Sequence, residues 1–199
     1  MSDERPDNLS ATDALDELTT GNKRFVAGAS EHPHCDPVRR LELATGQQPF
    51  ATVITCADSR VPVELVFDQG LGDVFVIRVA GNIADDAVLG SIEYASLHLG
   101  VNLVVVMGHR SCGAVGAAVD GSATGTHIDA LIDAIRPAVD EAASQGSDDL
   151  LERSVRGNAK MVAEQIESSE PVMAGLAERG VEVRAAYYDL QSGEVSWLA

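Results

Sequence analysis

Phe50-Ala-Thr-Val-Ile-Thr-Cys-Ala-Asp-Ser-Arg60 changes character half-way along. Its first six residues are apolar or β-branched and show no helical period. Short continuous runs of this kind suit strands of a parallel sheet that is covered on both faces. The last five, Cys56 to Arg60, bring a thiol, a carboxylate and a guanidinium to the strand's carboxyl end. Two further runs repeat the pattern: Val74-Phe-Val-Ile-Arg-Val79 and Leu103-Val-Val-Val-Met107, the latter followed directly by Gly108-His-Arg-Ser-Cys-Gly113. Between them, Asp86 to Leu99 puts Val88, Leu89, Ile92, Ala95 and Leu99 on one helical face. Strand, helix, strand implies a right-handed crossover. Both polar segments then sit beyond the carboxyl ends of strands, where open α/β sheets place their ligands.

The remaining elements follow from this centre. Downstream, Ile128 to Ala143 and Leu150 to Ser168 read as helices joined at Gly146-Ser147. Val181 to Tyr187 is a fourth strand. Ser192-Gly193 turns the chain into Glu194 to Leu198, an antiparallel edge strand. Upstream, Thr12 to Gly28 reads as a helix capped by Ser10 or Thr12, with Leu15, Leu18 and Phe25 near helical spacing. Glu31 to Pro37 is a loop, and Arg39 to Thr45 a short helix ending at Gly46. The expectation is an α/β fold: a mostly parallel sheet of four strands plus an antiparallel C-terminal edge strand, flanked by helices. One domain is expected over residues 1–199, with an N-terminal helical arm over 1–45 and an α/β core over 46–199. No internal repeat is visible.

Charge narrows the function. Asp and Glu number 31 against 14 Lys and Arg, a net charge of −17, and Lys23 and Lys160 are the only lysines. Such a surface repels nucleic acid and anionic membranes, and self-repulsion of this size is better tolerated in high salt. No apolar run of about 18 residues suggests a membrane span. Met1 to Asn8 is polar and acidic, unlike a signal peptide, so a cytoplasmic location is expected. Aromatics make up 4% of the chain against 45% hydrophobic residues, so the core must be Ala, Val, Leu and Ile. Three cysteines, an odd number, argue against a disulfide framework and for metal binding or catalysis.

Cys56, His109 and Cys112 offer two thiolates and an imidazole, the donor set of a tetrahedral zinc site. Three protein ligands leave a fourth position open, as catalytic zinc requires. Asp58 is able either to close the site as a fourth ligand or to accept a hydrogen bond from a zinc-bound water. Arg60 is placed to hold Asp58 bidentately. The plainer alternatives are buried thiols, a permanently closed structural zinc, and an ordinary ion pair. Cys35 reads as a loop thiol. His32, His34, His98 and His127 read as surface histidines, although each is able to shuttle protons. The glycines from Gly108 to Gly116 lack the pattern of a phosphate loop.

Cys56-Ala-Asp-Ser-Arg60 followed by Gly108-His-x-x-Cys-Gly113 resembles the beta-class carbonic anhydrases. Leu18 to Gly28, Gly46 to Pro49, Phe67 to Phe75, Arg78 to Asn82 and Gly90 to Tyr94 resemble segments of the same family. The resemblance implies one Zn2+ per chain on Cys56, His109 and Cys112. It implies reversible hydration of carbon dioxide to bicarbonate and a proton, by a zinc-bound hydroxide that Asp58 and Arg60 orient. Gln47, Val61, Phe75, Tyr94 and the Gly113 amide would line the substrate pocket, part of it supplied by a partner subunit. The family forms homodimers or higher even homo-oligomers. Two alternatives remain: a carbon disulfide or carbonyl sulfide hydrolase on the same scaffold, and a non-catalytic zinc-binding sensor.

Overall fold

The computed structural model describes residues 8–146, 148–170, 173–178 and 180–199. The acidic start at 1–7 and Ser147 of the expected helix joint lie outside the described residues. Five strands, β1 (Ala51–Thr55), β2 (Val74–Arg78), β3 (Leu103–His109), β4 (Glu182–Tyr188) and β5 (Val195–Leu198), form one sheet in the order β2-β1-β3-β4-β5. All neighbours are parallel except β4 and β5. The helices are α1 (Ala11–Val26), α2 (Pro37–Glu42), α3 (Val63–Val66), α4 (Asp86–His98), α5 (Gly113–Asp120), α6 (Ile128–Ser144), α7 (Leu150–Glu167) and α8 (Met173–Ala177). The α/β fold expected from the sequence is the fold observed.

The strands are built for burial on both sides. Every residue of β1 and β3 is buried. Side chains alternate across a strand. Val53, Leu103, Val105 and Met107 therefore face one cluster, with Leu18 of α1, Val63 and Val66 of α3, and Phe67. Ile54, Val104 and Val106 face the other, with Ile92 of α4 and Ala159, Val162 and Ile166 of α7. α1 lies close against the first cluster: Ala14 and Leu18 are fully buried. Gly21 allows the approach, since a Cβ there would stand 1.8 Å from the Phe67 carbonyl oxygen. Ser10 caps this helix by accepting from the Asp13 amide.

β1 leads to β2 through α3 on one face, whereas β3 leads to β4 through helices on the other. The connections that leave adjacent β1 and β3 thus run on opposite faces of the sheet, the switch point at which open α/β sheets place a ligand beyond the strands' carboxyl ends. Two helices, α3 and α8, escaped the sequence reading, and α5 was expected only as a helix start at Gly113 that the resemblance implies. α3 spans one turn, α8 is five residues long, and α5 begins at a glycine and carries another at Gly116. Strand β3 also runs two residues past Met107, carrying His109 inside the sheet. The short helix expected at 39–45 begins at Pro37 instead, because Asp36 caps it through the Val38 and Arg39 amides.

Candidate metal centre

Cys56 leaves β1 and His109 ends β3. Cys112 precedes α5 by one residue, after a tight turn in which Ser111 takes φ +54°. Because β1 and β3 are neighbours in the sheet, the three side chains meet. Their ligand atoms lie within 4.8 Å of one another, and all three residues are buried. His109 Nδ1 bonds the Arg110 carbonyl at 2.9 Å, which turns Nε2 toward the cluster. His109 is fully buried, and Nε2 has no hydrogen-bond partner among the described residues. A buried unpaired ring nitrogen is costly unless a ligand takes it up. The donor set and the unpaired nitrogen fit a zinc ion, which takes sulfur at about 2.3 Å and nitrogen at about 2.0–2.1 Å.

The two sulfurs are 3.9 Å apart, with Cys112 Sγ donating to Cys56 Sγ. That bond holds the Cys56 thiol low against its burial, helped by His109 and by the Gly81 and Asp58 backbone. Cys112, the donor of the pair and itself buried, is pushed up. Zinc would hold both sulfurs as thiolates, so taking up the ion would release the proton that Cys112 donates to Cys56.

Asp58 borders this cluster. Its Oδ1 accepts from the Arg60 backbone amide and from Arg60 Nε, both at 2.9 Å, and Oδ2 accepts from Arg60 Nη2 at 2.7 Å. Arg60 holds the Asp58 carboxyl well below the usual carboxylate range. Asp58 Oδ2 stands 3.9 Å from His109 Nε2. Arg60 Nη2 also reaches the Ser111 carbonyl at 3.3 Å, tying the two polar loops together.

The remaining expected site residues are spread around this centre. Gly113 is the first residue of α5. Val61 is fully buried in the cluster of Val53 and Met107. The rings of Phe75 and Tyr94 lie 6.4 Å apart, Tyr94 half-exposed. Gln47 lines an open cavity of about 420 Å³ with Arg40, Leu43, Gly46, Leu71 and Gly72. Cys35 is an exposed loop thiol, as expected.

Arg78 was given no role by the sequence reading. It sits opposite Thr55 in the β1–β2 register. Its guanidinium donates to the Cys56 carbonyl at 3.0 and 3.1 Å and to the Asp58 carbonyl, so it fixes the loop that carries both. Arg110 is anchored likewise by Asp189 at 2.9 Å, on the turn that precedes β5. An arginine ending one strand beside a cysteine ending the next was the available signal.

The family model for carbonic anhydrase matches residues 51–195. The chain belongs to the beta-class carbonic anhydrases. It is 40% identical over 190 residues to carbonic anhydrase 2 of Mycobacterium tuberculosis, covering 94% of this chain and 92% of that one. It is 34% identical to a carbonic anhydrase of Pseudomonas aeruginosa over 168 residues, 78% of this chain and 76% of the other. Among solved structures, a tetrameric beta-carbonic anhydrase of Sordaria macrospora superposes with a TM-score of 0.76 at 25% identity, covering 94% of this chain and 98% of its own. A beta-carbonic anhydrase of Aspergillus fumigatus gives 0.74 at 31% identity, with 94% and 89% covered. The Cys56–His109–Cys112 cluster of this carbonic anhydrase is thus compatible with zinc. No helix among the described residues is long and apolar enough to cross a membrane.

Proposed function

We propose that this carbonic anhydrase holds one Zn2+ on Cys56, His109 and Cys112 and interconverts carbon dioxide and bicarbonate. The observation that carries the reading is the Asp58 carboxylate, gripped by Arg60 through both oxygens at the edge of a three-donor cluster. When bound, zinc supplies a Lewis acid that makes a water nucleophilic near neutral pH. Asp58 is an acceptor only, so it would accept a hydrogen bond from the attacking oxygen and leave that oxygen's lone pair free for the carbon. Arg60 fixes the direction of that acceptor. Val61, Phe75, Tyr94 and Gln47 are the proposed walls for an uncharged, linear substrate. The Gly113 amide, at the start of the eight-residue helix α5, is proposed to face the anionic product.

An even homo-oligomer is part of the proposal. Val38, Leu41, Leu65, Leu71 and Tyr94 are between 43% and 71% exposed and are the apolar side chains proposed to meet a partner subunit. A cytoplasmic setting, in one domain over 1–199, suits three free thiols. The test is stopped-flow hydration of carbon dioxide on protein with measured zinc content, beside carbon disulfide as the rival substrate. Turnover of carbon dioxide proportional to zinc is expected. Full zinc with turnover of carbon disulfide alone, or of neither, would overturn the reading.

A further inference from the structure

Gly81 follows β2 in a short 3-10 turn, at φ +76° and ψ 16°. A side chain would be strained at this φ, and its Cβ would stand 2.5 Å from Ile135 Cδ1 and 3.1 Å from Ala114 Cβ. The Gly81 amide donates to Cys56 Sγ at 3.3 Å. Glycine is conformationally free, so its amide keeps one direction only if the neighbouring peptide is fixed. That peptide is pinned at both ends. The Asn82 amide donates to the Val79 carbonyl at 2.9 Å, and the Gly81 carbonyl accepts from Asn158 Nδ2, also at 2.9 Å.

Asn158 stands on α7, fully buried. This is the one hydrogen bond its side chain makes among the described residues; its Oδ1 is buried and has no partner. An unpaired buried oxygen costs free energy that an apolar side chain of similar size would avoid. The position therefore keeps a donor that packing alone does not explain.

We infer that Asn158 is a positioning residue for the metal centre: through the Gly81 carbonyl it fixes the Gly81 amide on the Cys56 sulfur and so sets that sulfur's donor strength toward the ion. The inference rests on the metal reading above. A hydrogen bond to a ligating thiolate draws electron density from the sulfur and leaves more positive charge on the metal. Partners of this outer kind tune a metal centre as well as orient it.

The test uses the full-length protein loaded with cadmium-113 or cobalt(II). In cadmium-loaded wild type, proton–cadmium correlation spectra are expected to link the ion to the β-protons of Cys56 and Cys112, to the His109 ring, and to the Gly81 amide proton. Asn158→Leu and the smaller Asn158→Ser both lose the reach to the Gly81 carbonyl. In either variant the Gly81 cross-peak should weaken or vanish while the cysteine cross-peaks persist. The sulfur-to-cobalt charge-transfer band should move to longer wavelength. A folded variant with the Gly81 cross-peak and the band unchanged overturns the inference, as does wild type with cysteine cross-peaks and none from Gly81. Absence of the cysteine cross-peaks in wild type sinks the metal reading itself, and this inference with it.

Discussion

Replacing Asp58 with Asn separates charge from shape. Asp58 accepts three hydrogen bonds from Arg60, using both oxygens. Asn keeps the outline of the side chain and one acceptor but turns the second into a donor. If its NH2 faces Arg60, donor meets donor. If it faces the metal centre, the attacking oxygen meets a donor where it needs an acceptor. Either way one hydrogen bond to a charged group is lost, worth about 1.5–3 kcal/mol. At about 1.4 kcal/mol per tenfold, kcat for carbon dioxide hydration should fall roughly 10- to 150-fold. Asp58 is 18% exposed and Arg60 53%, so the thermal midpoint should stay near that of wild type. Zinc content should also hold, because neither residue is one of the three buried donors. Arg60→Ala should give a loss of similar size, and the double variant should be little worse than the poorer single one, since the two act as a unit. The Asp58 carboxyl is held far below the usual range, so it stays ionised from pH 6 to 9 and the wild-type to variant ratio should be flat there. The assay is stopped-flow hydration at constant ionic strength, scaled to zinc by atomic absorption. Turnover of Asp58→Asn within threefold of wild type, or complete loss of its zinc, would refute the reasoning.

Cys112→Ser should lose both metal and activity, because a serine hydroxyl is not deprotonated as a thiol is; full zinc with normal turnover would assign the ion elsewhere. Asp68→Ala should destabilise the protein by about 3 kcal/mol in urea, since it strips a fully buried carboxylate from Arg24 at 2.6 Å and from the Glu31 and His32 amides at 3.0 Å. Burial pushes the Asp68 carboxyl up, but those three bonds outweigh it and its pKa is lowered. Its contribution is therefore full above the unfolded value of about 3.9 and is lost as pH falls through the lower folded value; Asp68→Ala should flatten the acid side of the stability curve, and an unaltered acid limb would count against the assignment. The thermal midpoint of the wild-type protein should rise with sodium chloride up to 1 M, where the screening length falls to about 3 Å and relieves repulsion from a net charge of −17. A midpoint that drops steadily would remove the case for salt adaptation.

The sheet and the Cys56–His109–Cys112 cluster were legible because both are written locally. A run such as Leu103 to Met107 is apolar at every position, and it is buried at every position. Cys56 and the His109–Cys112 pair each follow such a run, so their meeting required only that β1 and β3 be neighbours. Arg60, two residues from Asp58, was within reach of any backbone that turns there. Some short helices were not legible from residue pattern. α3 is one turn long, and α5 contains glycines whose low helix propensity is overridden by packing of Val115 and Ala118 against Ile132 and Ile135.

The residues that hold the donors in place were hidden for a different reason. Arg78 lies 22 positions from Cys56, Asp189 79 positions from Arg110, and Asn158 77 positions from Gly81. Each makes its hydrogen bonds to a backbone carbonyl or a side chain that the sequence pattern does not mark. A ligand is recognisable by its element: sulfur and imidazole nitrogen are rare and chemically particular. A support is recognisable only by its distance, because almost any buried amide or guanidinium is able to serve. Asn158 in a helical run reads as a polar interruption until α7 is packed on β3 and its amide meets the Gly81 carbonyl. The ligand set proposed for this enzyme is therefore a property of its sequence, whereas the rigidity that would make the set useful is a property of the fold. Substitutions at Arg78, Asn158 or Asp189 should accordingly alter the metal centre while leaving every donor in the chain.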